Sequence, residues 1–330
     1  MPIRFGYHAD DEMYQPSRLV DFAVLAEEQG FDFICIDDHF HPWFHRDGHA
    51  GHAWIWLGAA GARTSRVGLG TGVTTCIHRY NPAIVAQAFA TLDEMYPGRV
   101  FLAIGTGEAM NEMPMANPGL TWPTHEVRME MTSEAVTIIK SLWEGDFVDY
   151  EGRHFRLSQA RLYTKPRGRI PLYVAASGPK AVKMAGRLGD GLLTNSSEKR
   201  LPEIIKLFEE AVEESGRDPR EIPRMIEVSA SYDEDYDKAL AAISRWLPVP
   251  NGNDISDPRE LDRRRVGVDP RKLAGNVYTD MDELIRKIER IIRIGFTEVE
   301  IGSSSPDEEA FINEFGRKAL PYLQERFLDK

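Results

Sequence analysis

The strongest constraint on this chain is a repeated alternation of short apolar runs with longer amphipathic ones. Ile3–Tyr7, Phe33–Asp37, Val67–Val73 and Val100–Ile104 read as strands, and so do Leu172–Ala176, Gly191–Thr194, Met225–Ala230 and Thr297–Ile301. Between them lie helical patterns: Arg18–Gln29, stopped by Gly30; Ala53–Gly61; Pro82–Met95, with proline in its first turn; and Val127–Trp143. Pro179–Leu188, Leu201–Ser215, Asp235–Trp246 and Met281–Ile294 continue the pattern, and a last helix runs to the end. Strands joined through crossover helices lie parallel. Eight such units in 330 residues predict a closed (β/α)8 TIM barrel, with an open doubly wound sheet as the alternative. Two stretches stand outside the rhythm. Phe147–Leu157 reads as a hairpin turning at Glu151–Gly152, and Pro248–Asn276, rich in Pro, Gly, Asp and Arg, as an inserted loop region. The expectation is one domain over 1–330 with an insertion around 247–276.

In a barrel, chemistry gathers where the strands end. The second strand runs into Cys35-Ile-Asp-Asp-His-Phe-His-Pro-Trp43, two aspartates, two histidines and a tryptophan in one burst. Asp38, His39 and Trp43 are therefore the first candidates. Polar residues follow the other strands too: His8, Thr74 and Thr75, Thr106 to Glu108, Ser177-Gly178, and Thr194-Asn195. Glu108 lies in Gly105-Thr-Gly-Glu-Ala-Met-Asn111, where glycines let the backbone approach a flat ligand. A carboxyl so placed suits an acid of raised pKa. Ser177-Gly178-Pro179 opens a helix, whose N–H groups suit a phosphate; from that motif alone Ser177 reads first as an N-cap.

Five of the 9 histidines fall between His39 and His52, which raises a metal site. A barrel metal hydrolase needs more ligands after its later strands. The strands after the fourth carry no terminal histidine, so the expectation is no metal. The net charge of -12 disfavours nonspecific contact with nucleic acid or an anionic membrane. Two cysteines in strand-like contexts imply no disulfide framework, and no stretch reads as a signal or a membrane span. The expected location is the cytoplasm.

Four stretches together carry a resemblance: Asp37-Asp-His-Phe-His-Pro-Trp43, Arg79-Tyr-Asn-Pro-Ala-Ile-Val-Ala-Gln87, Tyr96-Pro-Gly-Arg-Val100 and Gly105-Thr-Gly-Glu-Ala-Met-Asn-Glu112. With them the whole chain resembles the luciferase-like flavin and deazaflavin oxidoreductases. Within these it is similar to the branch using coenzyme F420, which comprises glucose-6-phosphate dehydrogenase and secondary alcohol dehydrogenase. The resemblance implies a luciferase-like TIM barrel and roles for single residues. His39 matches the base that takes the substrate hydroxyl proton. Glu108 matches the acid toward N1 of the deazaflavin, as hydride reaches C5, and Trp43 lines the reacting centre. Asp38 matches a cofactor-contacting acid, and Thr106, Gly107 and Asn111 a ring-side loop. Ala176, Ser177, Gly178 and Thr194 fall where the family holds the cofactor's tail and phosphate. Gly72 and Val73 fall at a non-proline cis peptide that supports the ring.

The resemblance also bears on substrate and assembly. The sugar-phosphate branch holds its phosphate with two lysines and an arginine. Lys199 lies within one residue of the first lysine's place, but no basic side chain stands opposite the other two, near Gly252-Asn253 and Ala274-Gly275. Arg263, Arg264, Arg265, Arg271 and Lys272 lie in the insertion and read as solvated. A phosphate dianion needs several charge-assisted donors. The expected substrate is thus a secondary alcohol, with a sugar phosphate as the alternative; an FMN-dependent monooxygenase or a non-enzymatic flavin-binding relative ranks below both. The family usually pairs barrels near the second and third strands, and Ala53–Gly61 is apolar for an exposed helix, so a homodimer is expected.

Overall fold

The computed structural model describes residues 1–328. Eight parallel strands close on themselves: β1 (Arg4–Ala9), β2 (Phe33–Ile36), β3 (Gly68–Thr75), β4 (Val100–Gly105), β5 (Leu172–Ala175), β6 (Gly191–Thr194), β7 (Arg224–Tyr232) and β8 (Glu298–Ser303). Each pairs with the next, and β8 pairs back with β1, Tyr7 beside Ile301. The closed barrel replaces the open-sheet alternative.

Two layers of packing hold it. Outward side chains such as Ile34, Leu102, Val299 and Ile301 meet the helix shell in the main core. The helix Met281–Ile294 shows why: Leu284, Ile285, Ile288, Ile291 and Ile292 recur at three- and four-residue steps and are all buried. Inside the barrel a separate cluster of Phe33, Phe101, Tyr173 and Met225 fills the N-terminal end. Phe101 stands edge-on to Phe33 and to Tyr173, with centroids 5.9 and 5.7 Å apart. The glycines that punctuate β3 make room for this plug: a Cβ on Gly70 would lie 2.3 Å from the Phe101 ring.

Three regions differ from expectation. The helix expected over Asp235–Trp246 ends at Ile243 and tightens into a 3₁₀ turn over Ser244–Trp246. The expected loop region contains short helices at Gly252–Asp254, Pro258–Arg265 and Pro270–Asn276. The second and third start at Asp257-Pro258 and Asp269-Pro270, an N-cap acid followed by a first-turn proline, and each aspartate accepts the N–H two residues on. The last helix is broken by a π turn at Phe315–Ala319 and resumes over Leu320–Arg326; residues 329 and 330, to which it was expected to run, lie outside the described residues. The expected hairpin is present as Val148–Glu151 paired with Arg156–Ala160.

Candidate active site

One cavity of about 720 Å³ opens at the C-terminal end of the barrel. Every residue given a catalytic or cofactor role by the resemblance lines it: His39, Trp43 and Glu108; Asp38, Thr106, Gly107 and Asn111; Gly72 and Val73; Ala176, Ser177, Gly178 and Thr194.

The reactive corner is built by the loops after β1, β2 and β4. His39 Nε2 lies 3.8 Å from Glu108 Oε2. On the other side of the ring, Nδ1 lies against Glu12 Oε1, with Asp11 Oδ1 at 3.6 Å. Glu12 Oε2 accepts the Trp43 N–H at 2.8 Å. Asn111 ties the corner together: its Oδ1 accepts the Phe40 N–H at 2.8 Å and its amide donates to Glu108 at 3.2 Å. Burial alone would discharge His39, but Glu12 and Asp37 hold its pKa well above the usual histidine range. Burial raises the Glu108 carboxyl to about 7, with Glu12 and Asp37 adding to it against the pull of His39. Burial likewise lifts Asp11 to about 7 although His39 stands nearby. Asp11, Glu12 and His39 bring one ligand atom each within 4.8 Å of one another. The imidazole itself supplies positive charge between the two acids, and we read the trio as a charge cluster.

Asp38 braces this corner. Its carboxylate accepts from Thr74 at 2.7 Å and from Tyr80 at 3.3 Å, and pairs with Arg79 at 3.1 Å. Across the cavity runs a smooth wall of Gly72, Val73, Gly105, Gly107, Ala175 and Ala176. The Gly72–Val73 peptide bond is cis, as the resemblance implied. Gly107 has φ +75°, a conformation that disfavours any side chain. At the wall's far end the helix Pro179–Leu188 begins. Here the N-cap expectation is corrected: the cap is Gly178, with no side-chain bond, because the Ser177 hydroxyl turns toward Thr194 and Asn195, at 3.4 Å from each. The helix's first N–H groups thus open toward the cavity without a side-chain cap. A Cβ on Gly178 would meet nothing within 4 Å.

Comparison with known proteins decides the family. The family model for luciferase-like monooxygenases matches residues 2–298. The chain belongs to the luciferase-like family. Among the relatives of this luciferase-like chain are F420-dependent glucose-6-phosphate dehydrogenases from Microbacterium testaceum, 40% identical over 99% of both chains, and from Nakamurella multipartita, 39% identical over 98% of this chain and 97% of the relative. A solved F420-dependent secondary alcohol dehydrogenase, in complex with an F420-acetone adduct, is 42% identical and superposes with a TM-score of 0.92, covering 97% of this chain and 99% of that one.

This luciferase-like site also contains residues that the sequence motifs do not mark. Glu12 and Asp11 follow β1 in Asp10-Asp-Glu12, a run of acids at a strand end that could have signalled them. Arg265, expected in solvent, is only 10% exposed and lines the cavity. Its Nη1 donates to Trp43 O at 2.6 Å and its Nε to Leu247 O at 3.0 Å. Arg263, Arg264 and Arg271 do stay at the surface, paired with Glu260 and Asp269. Lys199 is exposed and outside the cavity.

Proposed function

We propose that this chain is an F420-dependent dehydrogenase of secondary alcohols. The cavity fits such a cofactor: the Gly72–Val73 and Gly105–Gly107 wall offers a flat ring a face without protruding side chains, with Thr106 and Asn111 on its edge and Asp38 behind it. Ser177, Thr194 and the first-turn N–H groups after Pro179 offer a tail phosphate its donors, with Ala176 lining the wall beside them. When bound, a deazaflavin supplies a two-electron hydride acceptor. The chain's own groups handle protons and position. His39 Nε2 takes the hydroxyl proton, Glu108 holds a proton at its carboxyl for the ring side, and Trp43 confines the carbinol carbon between them. Trp43 is itself held by Glu12 and by Arg265.

One observation carries the choice of substrate. The cavity is lined by Ile243, Trp246, Leu247, Val249 and Leu273, and its two guanidinium groups, Arg128 and Arg265, each have Nε and Nη1 engaged with protein oxygens. A phosphate dianion would meet few free donors there. The sugar-phosphate alternative is favoured by the activity named for the curated relatives. Loss of F420 absorbance with 2-propanol and with glucose 6-phosphate separates the two. A higher kcat/KM for the alcohol is expected; a far higher value for the sugar phosphate would overturn the reading. We further take the chain as one barrel domain, with the 247–276 excursion forming part of the pocket rim. Both cysteines are unpaired and buried, in keeping with work in a reducing cytoplasm.

A further inference from the structure

The cavity has a second polar face, away from the ring wall. Strand register builds it: Glu227 of β7 stands beside Glu300 of β8, Ser229 beside Gly302, and Gly302 beside His8 of β1. His8, Glu227, Ser229 and Gly302 all line the cavity, as does Asp10 at the end of β1. His8 Nδ1 lies 2.5 Å from Glu300 and Nε2 2.7 Å from Asp37, and these two carboxylates, against the effect of burial, hold its pKa well above the usual histidine range, which favours the charged ring. That one charge is shared by two carboxylates and leaves nothing for the others. Glu227 makes no side-chain hydrogen bond among the described residues, although it faces His8, Glu300 and Asp37. Burial lifts its carboxyl to about 7. Asp10 uses Oδ1 on the N–H groups of Glu12 and Met13. Gly302 keeps a notch open between the two strands: a Cβ there would lie 3.6 Å from Glu227 Oε1 and 3.9 Å from His8.

Glu227 is half-buried on the cavity wall and finds no protein donor there among the described residues, so a ligand that displaces water from it must bring donors of its own. The protein offers this face an excess of acceptors, so the missing donors belong to a ligand. Like charge shuts out phosphate and carboxylate groups. Purely aliphatic alcohols would leave the acids unpaired.

Resting on the dehydrogenase reading, we propose that this face is the specificity subsite, and that the substrate is a hydroxy compound carrying further O–H or N–H donors and no anionic group. Glu227 takes the donor group next to the carbinol carbon, with Ser229 beside it, while His39 and Trp43 hold the carbinol itself.

An isosteric series tests this on the F420-loaded protein: 2-butanol, propane-1,2-diol and 1-amino-2-propanol differ only in a terminal methyl, hydroxyl or ammonium. The kcat/KM of the diol, the amino alcohol or both is expected to exceed that of 2-butanol by about ten-fold or more. Which of the two leads identifies the donor as hydroxyl or amine. Glu227→Leu should bring the ratio to near one, and Glu227→Gln should erase an amine preference more than a hydroxyl one. If the leucine variant does not fold, Glu227→Gln and Ser229→Ala carry the test. Calorimetry on cofactor-free protein gives a second readout, in which heat of binding for the preferred compound is lost in the Glu227 variants. Equal or better turnover of 2-butanol, or a preference that survives the variants, overturns the proposal. If glucose 6-phosphate alone is turned over, the alcohol reading falls, and with it the exclusion of anionic substrates. Calorimetry then decides the subsite: heat lost in the Glu227 variants supports it, and no heat in the wild type overturns it.

Discussion

Glu12 Oε2 accepts the Trp43 backbone N–H at 2.8 Å, while the other oxygen of the same carboxylate lies against His39. One buried acid therefore fixes the loop that carries the tryptophan and sets the charge on the imidazole. In Glu12→Gln the amide oxygen still accepts from Trp43, but the negative charge beside Nδ1 is gone. The His39 pKa should fall, and the alkaline limb of the kcat/KM profile should move to lower pH. An unchanged limb in a folded variant would detach Glu12 from His39's protonation.

His39→Ala is expected to keep F420 binding and lose about 10² to 10⁴ in turnover, the usual contribution of a general base. Fluorescence titration of the cofactor and stopped-flow reduction read the two separately. Turnover within a few-fold of wild type would remove His39 from the reaction.

The pH profile should be a bell. Oxidation uses neutral His39 with protonated Glu108; carbonyl reduction uses the opposite arrangement of the same single proton. The ratio of the two arrangements does not change with pH, so both directions share their limbs. The acid limb should lie near 7, where burial places Glu108, and the alkaline limb well above the usual histidine value, where Glu12 and Asp37 hold His39. Glu108→Gln should leave one limb in each direction, at the His39 pKa: oxidation rising with pH as His39 loses its proton, and carbonyl reduction falling there.

Folding stability should fall between pH 6 and pH 9. His8 is held well above its unfolded pKa, against the effect of burial, by Asp37 and Glu300, so its contribution is full below about 6.5 and lost as pH rises through the folded value. Burial raises Glu227 and Glu308 to about 7, so their folded forms also favour the proton and lose stability as they ionise. Thermal unfolding of cofactor-free protein should give a higher Tm at pH 6 than at pH 9. A higher Tm at pH 9 would count against a charged His8.

A homodimer should form through the helices Ala53–Arg63 and Pro82–Met95. They pack against each other and expose Ile55 by 74% and Ile84 by 52%. Light scattering should give twice the chain mass at micromolar concentration, and Ile55→Glu with Ile84→Glu should halve it. A monomeric wild type would refute the assignment.

The barrel was legible because its strands and helices alternate with clear stops, such as Gly30 after Arg18–Gln29. The corner around His39 and Glu108 was legible because motifs at two strand ends fall in one place when the barrel closes. The second acidic face was not. In Glu298-Val-Glu-Ile301 the alternation suggests acids toward water and Val299 and Ile301 toward a core. The core is there, but it lies outside the barrel, under the helices, and Glu300 points inward to His8. A strand buried on both faces gives no local sign of which side is the interior. Arg265 was missed for a related reason: its carbonyl partners at Trp43 and Leu247 are brought close only by the tertiary fold.

The aromatic plug at the N-terminal end of the barrel has a kinetic consequence. Phe33, Phe101 and Tyr173 separate the large cavity from a smaller hollow beneath it, lined by Arg4, Tyr173 and Glu298. With the floor filled by these buried rings, reactants and products share the mouth at the C-terminal end of the barrel. Ketone and alcohol therefore queue for the same space, and inhibition by the ketone should be competitive with the alcohol at fixed cofactor.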